Sequence, residues 1–466
     1  MNLKALHSVY FLGIGGIGMS AIARWFAHVG IPVMGYDRTP SPLTELLIEE
    51  GIKVHYEDSL ETIPADIIEN KANILIIWTP ALPADSVQLN YFREANFPLK
   101  KRSEVLGIIT KDLVTIAVAG THGKTSTSSL IAHLLKSAGL NVAAFLGGIT
   151  QNYESNLILH DETRGEDPIV VVEADEYDRS FLQLHPNIGV VTSVDADHLD
   201  IYGDHLELTK TFGAFIDLIN PEGLLLIHQN AYEAFSKEDF GSLRTETYSL
   251  DKSPIKAADI EAGIRSFRFN YINGNDGIAD LTIKVPGFHN VENALVAITV
   301  AMELGIQEDQ IRAGLDTYKG VKRRFEIRYQ QEGRVYIDDY AHHPEEIKAF
   351  LGSVKAMYPD KKLMVIFQPH LFSRTRDFAA GFSSSLSLAD EVVLMEIYPA
   401  REKPIEGVSA DMLLAGITSP VKSVQKREAL LEYLDKNVPE VLVTLGAGDI
   451  DRMVDPITKW MAAHGN

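Results

Sequence analysis

Residues 115–127 read TIAVAGTHGKTST. The apolar run Val114–Ala119 ends in a glycine-bearing turn, a lysine and two hydroxyl residues, and a helix-forming stretch follows. A turn of this kind aims backbone N–H groups inward as an anion nest, and the following helix adds its positive N-terminal end. In such a cradle Gly120, Thr121, His122, Gly123, Lys124, Thr125 and Ser126 would hold nucleotide phosphates. Lys124 would reach the β and γ phosphates, and the Thr125 hydroxyl would bind Mg2+. The general pattern wants a glycine five positions before Gly123, where Val118 stands, so a plain loop is the alternative. Against it, Leu130, Ile131, Leu134, Leu135 and Ala138 share one helical face and Gly139 is placed to end the helix, which predicts strand, loop and helix in order.

Working outward, the 466 residues are too many for one core and point to about three domains. Strand-like runs alternate with helical patterns, predicting an α/β fold with parallel sheets. The strands are expected at Val9–Leu12, Val33–Tyr36 and Ile74–Trp78 in a first block (1–110). Val114–Ala119, Ile169–Val172 and Ile188–Thr192 fall in a second (111–320), and Val335–Ile337, Leu363–Phe367, Val392–Glu396 and Val441–Leu445 in a third (321–466). The polar stretch Glu233–Asp276 is expected to hold excursions or a small antiparallel sheet. Hydrophobic residues make up 45% and charged residues 23%, which is ordinary for a soluble chain. The net charge of −21 and the lack of a long basic patch argue against nucleic acid as the main partner. With no cysteine, disulfides and thiolate metal sites are excluded, and a cytoplasmic location is expected. No apolar run reaches membrane-spanning length, and Val9–Ile17 with its glycines reads as strand and turn rather than signal peptide.

The first block opens with FLGIGGIGMSAIA. Gly13, Gly15 and Gly18 satisfy G-x-G-x-x-G between a strand and a helix, and Asp37 follows at the end of the next strand candidate. This predicts a site for a diphosphate-bearing ligand, with NAD, FAD and a UDP-sugar all fitting the pattern. A hydride-transfer enzyme needs no second phosphate cradle, so two such sites favour a ligase, one nucleotide supplying energy and the other serving as a substrate handle. An NAD-dependent oxidoreductase and a non-enzymatic nucleotide sensor are the alternatives.

Glu173 closes the buried run PIVVVE, where an acid commonly faces the metal of a phosphate loop. Glu176 and Asp178 read as a solvated acidic loop. After the next strand come Asp195, Asp197, His198 and Asp200, with His198 either structural or a metal ligand.

GTHGKTS, Glu173, DADHLD, GFHNVENALVA, GVKRRFE and DDYAHHP occur here in the order in which they occur in the Mur ligases, and the chain resembles that family over nearly its whole length. GIGGIGMSAIA, DDYAHHP and FQPHLFSRTRDF select the branch that starts the peptide on the cell-wall precursor. The resemblance implies a UDP-binding Rossmann-like domain, a central P-loop ATPase domain and a C-terminal Rossmann-like domain. It also implies UDP-N-acetylmuramate, L-alanine and ATP as substrates, two Mg2+ ions, and a monomer or homodimer without membrane insertion. Within it, Gly13, Gly15, Gly16 and Gly18 would hold the UDP diphosphate; Thr125 and Glu173 would bind one Mg2+ and His198 the second. His289, Asn290 and Asn293 would lie near adenine, Arg324 near the γ-phosphate, and Asp339 near ribose or phosphates. Tyr340, His342, His370 and Arg374 would surround the amino acid, with His342 or His370 as base. A recycling ligase adding a tripeptide to the same sugar is the rival within the family. Plainer readings make Asn293 a first-turn residue, His343 a helix start before Pro344, and Arg376–Asp377 a surface pair. Lys210 is left unassigned, and Leu371 removes a second cation beside His370.

Overall fold

The alternation of apolar strands and amphipathic helices builds three sheets in a computed structural model that describes residues 3–195, 202, 204–236, 240–331, 333–400 and 402–464. The first sheet comprises β1 (Ser8–Leu12), β2 (Val33–Tyr36), β3 (Lys53–His55), β4 (Ile74–Trp78) and β5 (Leu99–Lys101) in the order β3-β2-β1-β4-β5, all parallel. The order reverses at β1/β4, the switch point where such sheets open a crevice at their carboxyl ends. Gly13 leaves β1 there with φ +85°, and a Cβ on it would lie 2.9 Å from Thr79 Cγ2, just beyond β4.

The second sheet places β6 (Thr115–Ala119) between β9 (Ile169–Glu173) and β10 (Ile188–Val191), both parallel to it. β7 (Val142–Thr150) pairs with β9 and, antiparallel, with β8 (Ser155–Ile158); β11 (Leu224–His228) and β12 (Arg244–Tyr248) continue beyond β10. The polar stretch holds strands: β12 is followed by β13 (Ile255–Ala262) and β14 (Phe267–Asn273), and β15 (Asp276–Ile283) starts at its end. The third sheet runs β16 (Glu326–Gln331), β17 (Arg334–Asp339), β21 (Val441–Leu445), β18 (Leu363–Phe367), β19 (Glu391–Leu394) and β20 (Val421–Val424), parallel except for β16.

The described chain divides into two compact units. One comprises Met1–Lys256, Ile272–Asp276 and Asn293–Gly314; the other comprises Ala257–Tyr271, Gly277–Glu292 and Leu315–Asn466. The first unit holds the first sheet and most of the second because one apolar cluster runs through both. Phe11, Ile22 and Phe26 belong to it, as do Phe145, Leu157, Val172 and Phe181. Fully burying a side chain of this kind is worth about 1.5–3 kcal/mol. Tight backbone approach helps, since a Cβ at Gly107 would lie 2.3 Å from Gln183 O. The second unit has its own cluster around Tyr336, Ile366, Leu442 and Trp460. Among the described residues no helix is long and apolar enough to cross a membrane.

Candidate active site

β6 ends at Ala119, and the chain turns through Gly120 at φ +138° to Gly123 at φ +79°, which caps the helix Lys124–Ser137. Both angles lie where a side chain is strained. The turn is braced by the segment after β10. Thr121 N–H donates to Ser193 O at 3.2 Å, and His122 N–H donates to Ser193 Oγ at 2.9 Å. The hydroxyls of Thr121 and Ser193 lie 2.8 Å apart, and Asp195 N–H donates to Thr121 Oγ1 at 3.1 Å. Behind the turn, Thr127 Oγ1 donates to the buried Asn293 Oδ1 at 2.8 Å. Asn293 is the sixth residue of the helix Phe288–Glu303, not a first-turn residue, and it buttresses the loop helix. As expected, Leu130, Ile131, Leu134 and Leu135 face the core, and Gly139 follows the helix end with φ +92°.

Lys124 Nζ lies 2.7 Å from Glu176 Oε2 and donates to Gly120 O at 2.5 Å. Burial by itself would lower the pKa of this ammonium, but Glu176 first, then Asp175 and Glu173, outweigh it and hold the pKa raised. The lysine is therefore a fixed cation. The solvated reading of Glu176 is overturned: its side chain is 0% exposed and forms the buried half of this pair. In sequence an acidic run looks like a wet loop; only the fold drives this one carboxylate under the phosphate loop. Asp178 stays partly exposed, at 2.8 Å from Lys101 Nζ.

Thr125 is buried in the first turn of the helix, with Ser126 beside it. Glu173 ends β9, next to β6, and accepts the N–H of Gly147 at 2.9 Å. A Cβ at Gly147 would lie 2.2 Å from Glu173 Oε1, so only glycine lets the carboxylate sit there. A hydroxyl and a strand-end carboxylate are hard oxygen donors of the kind Mg2+ takes. His198, with Asp197 and Asp200, lies outside the described residues.

A cavity of about 600 Å3 runs from the N-terminal glycines to this acid. Gly13, Gly15, Gly16 and Gly18 line one side; Gly147, Glu173 and Asp175 line the other. Asp37 also lines it, but its Oδ2 accepts the Gly15 N–H at 2.7 Å and so braces the glycine turn. Arg102, unassigned in the sequence, lies under Gly18, where a Cβ would meet its Nη1 at 2.7 Å. Its other nitrogen reaches Asp175 at 3.5 Å.

The remaining expected residues lie in the second unit. β17 delivers Asp339, whose buried carboxylate accepts the N–H groups of Phe325 and Ala341, both at 2.7 Å. Burial raises its pKa to about 6 despite Arg324 and those two bonds. Its oxygens thus hold the Arg323–Phe325 loop. Arg323 is committed to Asp338 at 3.0 Å and Gly446 O at 2.7 Å, whereas Arg324 lies over the Tyr340 ring, 4.9 Å away, and 4.0 Å from Glu346. His289 packs 5.9 Å from Phe325, and burial pushes its pKa down to about 4, so it is neutral. Asn290 Nδ2 donates to Pro286 O at 2.8 Å.

His342 and His370 follow β17 and β18, the two strands that flank β21, and their rings meet edge-on at 6.2 Å. Glu346, which the sequence offers as a first-turn residue of the helix after Pro344, organises this corner. It accepts the N–H groups of His342 at 2.9 Å and His343 at 3.2 Å and lies 3.4 Å from His342 Nδ1. His343 is the N-cap of the helix Pro344–Met357, as read. His370 stacks on Tyr398 at 5.7 Å, and Leu371 takes φ +70° to start the short helix Phe372–Asp377, which carries the buried Arg374. Glu402, missed in the sequence, caps that helix through Ser373 N–H at 3.0 Å. Arg376 and Asp377 form an exposed pair at 2.7 Å.

Family models match along the chain: the Mur ligase family catalytic domain at residues 8–113, the Mur ligase middle domain at 118–301 and the Mur ligase glutamate ligase domain at 323–448. The chain is 47% identical over 462 residues to the UDP-N-acetylmuramate–L-alanine ligase of Cytophaga hutchinsonii, covering 98% of this chain and 97% of that protein. The solved UDP-N-acetylmuramate–alanine ligase of Thermotoga maritima superposes with a TM-score of 0.79 at 28% identity, over 98% of this chain and 99% of that one. A murein peptide ligase from Psychrobacter arcticus shares the fold, with a TM-score of 0.70 at 22% identity over 98% of both chains. The strand-embedded phosphate loop, the second glycine turn and these matches agree, and the chain belongs to the Mur ligase family.

Proposed function

We propose that this chain joins L-alanine to the carboxylate of UDP-N-acetylmuramate at the expense of ATP, the first peptide step of bacterial cell-wall precursor synthesis. The carrying observation is the single cavity lined by the N-terminal glycines and, opposite them, by Glu173 and Asp175. A substrate held by its diphosphate on Gly13–Gly18 would extend its acid toward the carboxylates beside the phosphate loop. The activity named for the Cytophaga relative fits that geometry.

In this reading the substrate carboxylate attacks the γ-phosphorus of ATP and ADP leaves. Such transfer depends on positioning and on neutralising charge. Lys124 supplies a permanent ammonium, with Glu176 holding it in place until phosphate oxygens compete for it. Arg324 supplies a second cation from a loop that Asp339 holds through backbone N–H bonds. Thr125 and Glu173 would hold Mg2+, which when bound offsets phosphate charge. The alanine amine then attacks the acyl phosphate carbon, a tetrahedral intermediate forms, and phosphate departs. His342 or His370 would take the amine proton. Tyr340 and Arg374 would line the amino-acid pocket.

The test is phosphate release from ATP. Release that requires both UDP-N-acetylmuramate and L-alanine supports the reading. Release that instead requires the tripeptide would replace it with the recycling activity, and release with neither amino substrate would remove the ligase assignment.

A further inference from the structure

The helix Ile17–His28, which begins at the glycine turn, is fastened along one side to the β7–β8 hairpin and the segment after it. Asn156 Nδ2 donates to Ile17 O at 2.5 Å and to Ser20 Oγ at 3.1 Å. One turn on, Arg24 Nη1 donates to Ser155 Oγ at 2.6 Å while Glu50 grips its other nitrogens. One further turn on, His28 Nε2 lies 3.2 Å from His160 O. Positions 17, 20, 24 and 28 follow the helical repeat, so the seam is continuous. At its end His28, His160 and Glu162 each present a ligand atom, all within 4.8 Å of one another.

We propose that His28, His160 and Glu162 form a site for a divalent transition-metal ion of the zinc type. Two imidazoles and a carboxylate, with water in a fourth position, match the donor set and count of zinc, whereas magnesium prefers oxygen alone. His28, donating through Nε2 to a backbone carbonyl, keeps a lone pair on Nδ1. That is the outer bond that fixes the tautomer of metal-binding histidines. The two rings stand at 76° with centroids 5.4 Å apart, so they can approach one ion without stacking on each other. Two further features favour a cation here: His28 ends its helix, where the dipole is negative, and the chain carries a net charge of −21. Asp161 Oδ1 is engaged by Thr163 N–H at 2.9 Å and Thr163 Oγ1 at 2.6 Å. The nearby cations have partners of their own: Lys136 donates to Leu159 O, and Arg164 donates to Gly139 O and pairs with Glu166 at 2.9 Å. Glu162 is exposed, so rotation of its side chain brings its carboxylate toward the two imidazoles. A bound ion would staple the helix behind the glycine turn to the hairpin of the central sheet.

The experiment uses the full chain, stripped with a chelator and kept in excess Mg2+ so that oxygen sites are filled. Zinc is titrated calorimetrically, and cobalt is titrated by visible absorption. One saturable equivalent, an intense tetrahedral cobalt band and a rise in melting temperature with zinc are expected. His28→Ala, His160→Ala and Glu162→Gln should each weaken binding by at least the roughly 10- to 100-fold that losing an outer-shell partner costs. Zinc-free ligase activity should be unchanged in all three. Should His160→Ala not fold, the exposed His28→Ala and Glu162→Gln decide. Zinc affinity equal to wild type in the His28→Ala/Glu162→Gln double variant, or no saturable binding, would overturn the proposal.

Discussion

Two glycine turns in the first unit follow the same local plan, strand to turn to helix, yet they are supported differently. The turn at Gly13–Gly18 is braced by one acid, Asp37, and otherwise opens into a cavity. The turn at Gly120–Gly123 is clamped from both sides: by Thr192, Ser193 and Asp195 after β10, and by Lys124 with its buried partner Glu176. In the proposed reaction the first turn would only hold a diphosphate handle, whereas the second would keep a cation fixed where charge moves. Preorganisation of that kind needs more contacts, and here they come from distant parts of the chain.

Removing the cation should produce the largest contrast. Lys124→Ala is expected to cost about 100- to 1000-fold or more in kcat, the range for losing one preorganised donor, with UDP-substrate affinity by calorimetry nearly unchanged. It also strands Glu176, a change worth about 3–5 kcal/mol when a buried pair loses one partner. Lys124→Ala/Glu176→Gln should recover stability in urea unfolding but not turnover. Retained turnover in either variant would remove the phosphate-loop assignment.

The two turns can next be broken one at a time. Gly120→Ala places a Cβ 2.0 Å from Thr192 Oγ1 at φ +138°, and should abolish ATP binding. Gly15→Ala places one 2.6 Å from Thr44 Cγ2 and 2.9 Å from Asp37 Oδ2; overpacking of about 1–3 kcal/mol should weaken UDP-substrate binding and spare ATP. If each variant impaired both ligands equally, the turns would not be separate sites.

Smaller effects test the bracing. Asn293→Ala leaves the buried Thr127 hydroxyl without its acceptor and should destabilise by about 1–3 kcal/mol, with a modest rise in KM for ATP. Asp339 offers a pH signature in the second unit. Its folded pKa of about 6 lies above the ordinary 3.8, so folding favours the protonated form. Its stabilising contribution is complete below the ordinary value and is lost as pH rises through 6. Asp339→Asn should therefore flatten that part of the stability-versus-pH curve; an unchanged slope between pH 4 and 7 would contradict the assigned burial.

Strands such as Val33–Tyr36, Ile74–Trp78, Leu363–Phe367 and Val441–Leu445 were legible to the residue, because fully buried parallel strands are uninterrupted apolar runs between turns. β7 was not, because Gly147 and Gly148 lie inside it and glycine weakens the look of a strand. The structure uses Gly147 inside the strand to admit Glu173. The polar stretch was read only as excursions or a small antiparallel sheet, with no strand bounds, because β13 and the neighbouring β15 alternate buried and exposed positions irregularly, which blurs the two-residue period. Glu346 was legible only as a first-turn acid, and Glu402 was missed, because a carboxylate that caps a helix start looks the same in sequence as one that faces water.

The sequence by itself determined the local chemistry: two strand–glycine–helix turns, the lysine and hydroxyl that follow one of them, and the order of motifs that marks the family. These depend on residues adjacent in the chain, where backbone geometry and helix dipoles act directly. Only the tertiary structure decided which acids are buried, which arginine of the pair at 323–324 is already committed, and that the hairpin at 155–162 seats on the first helix. Those outcomes depend on desolvation and on contacts between segments more than fifty residues apart, which no local pattern encodes.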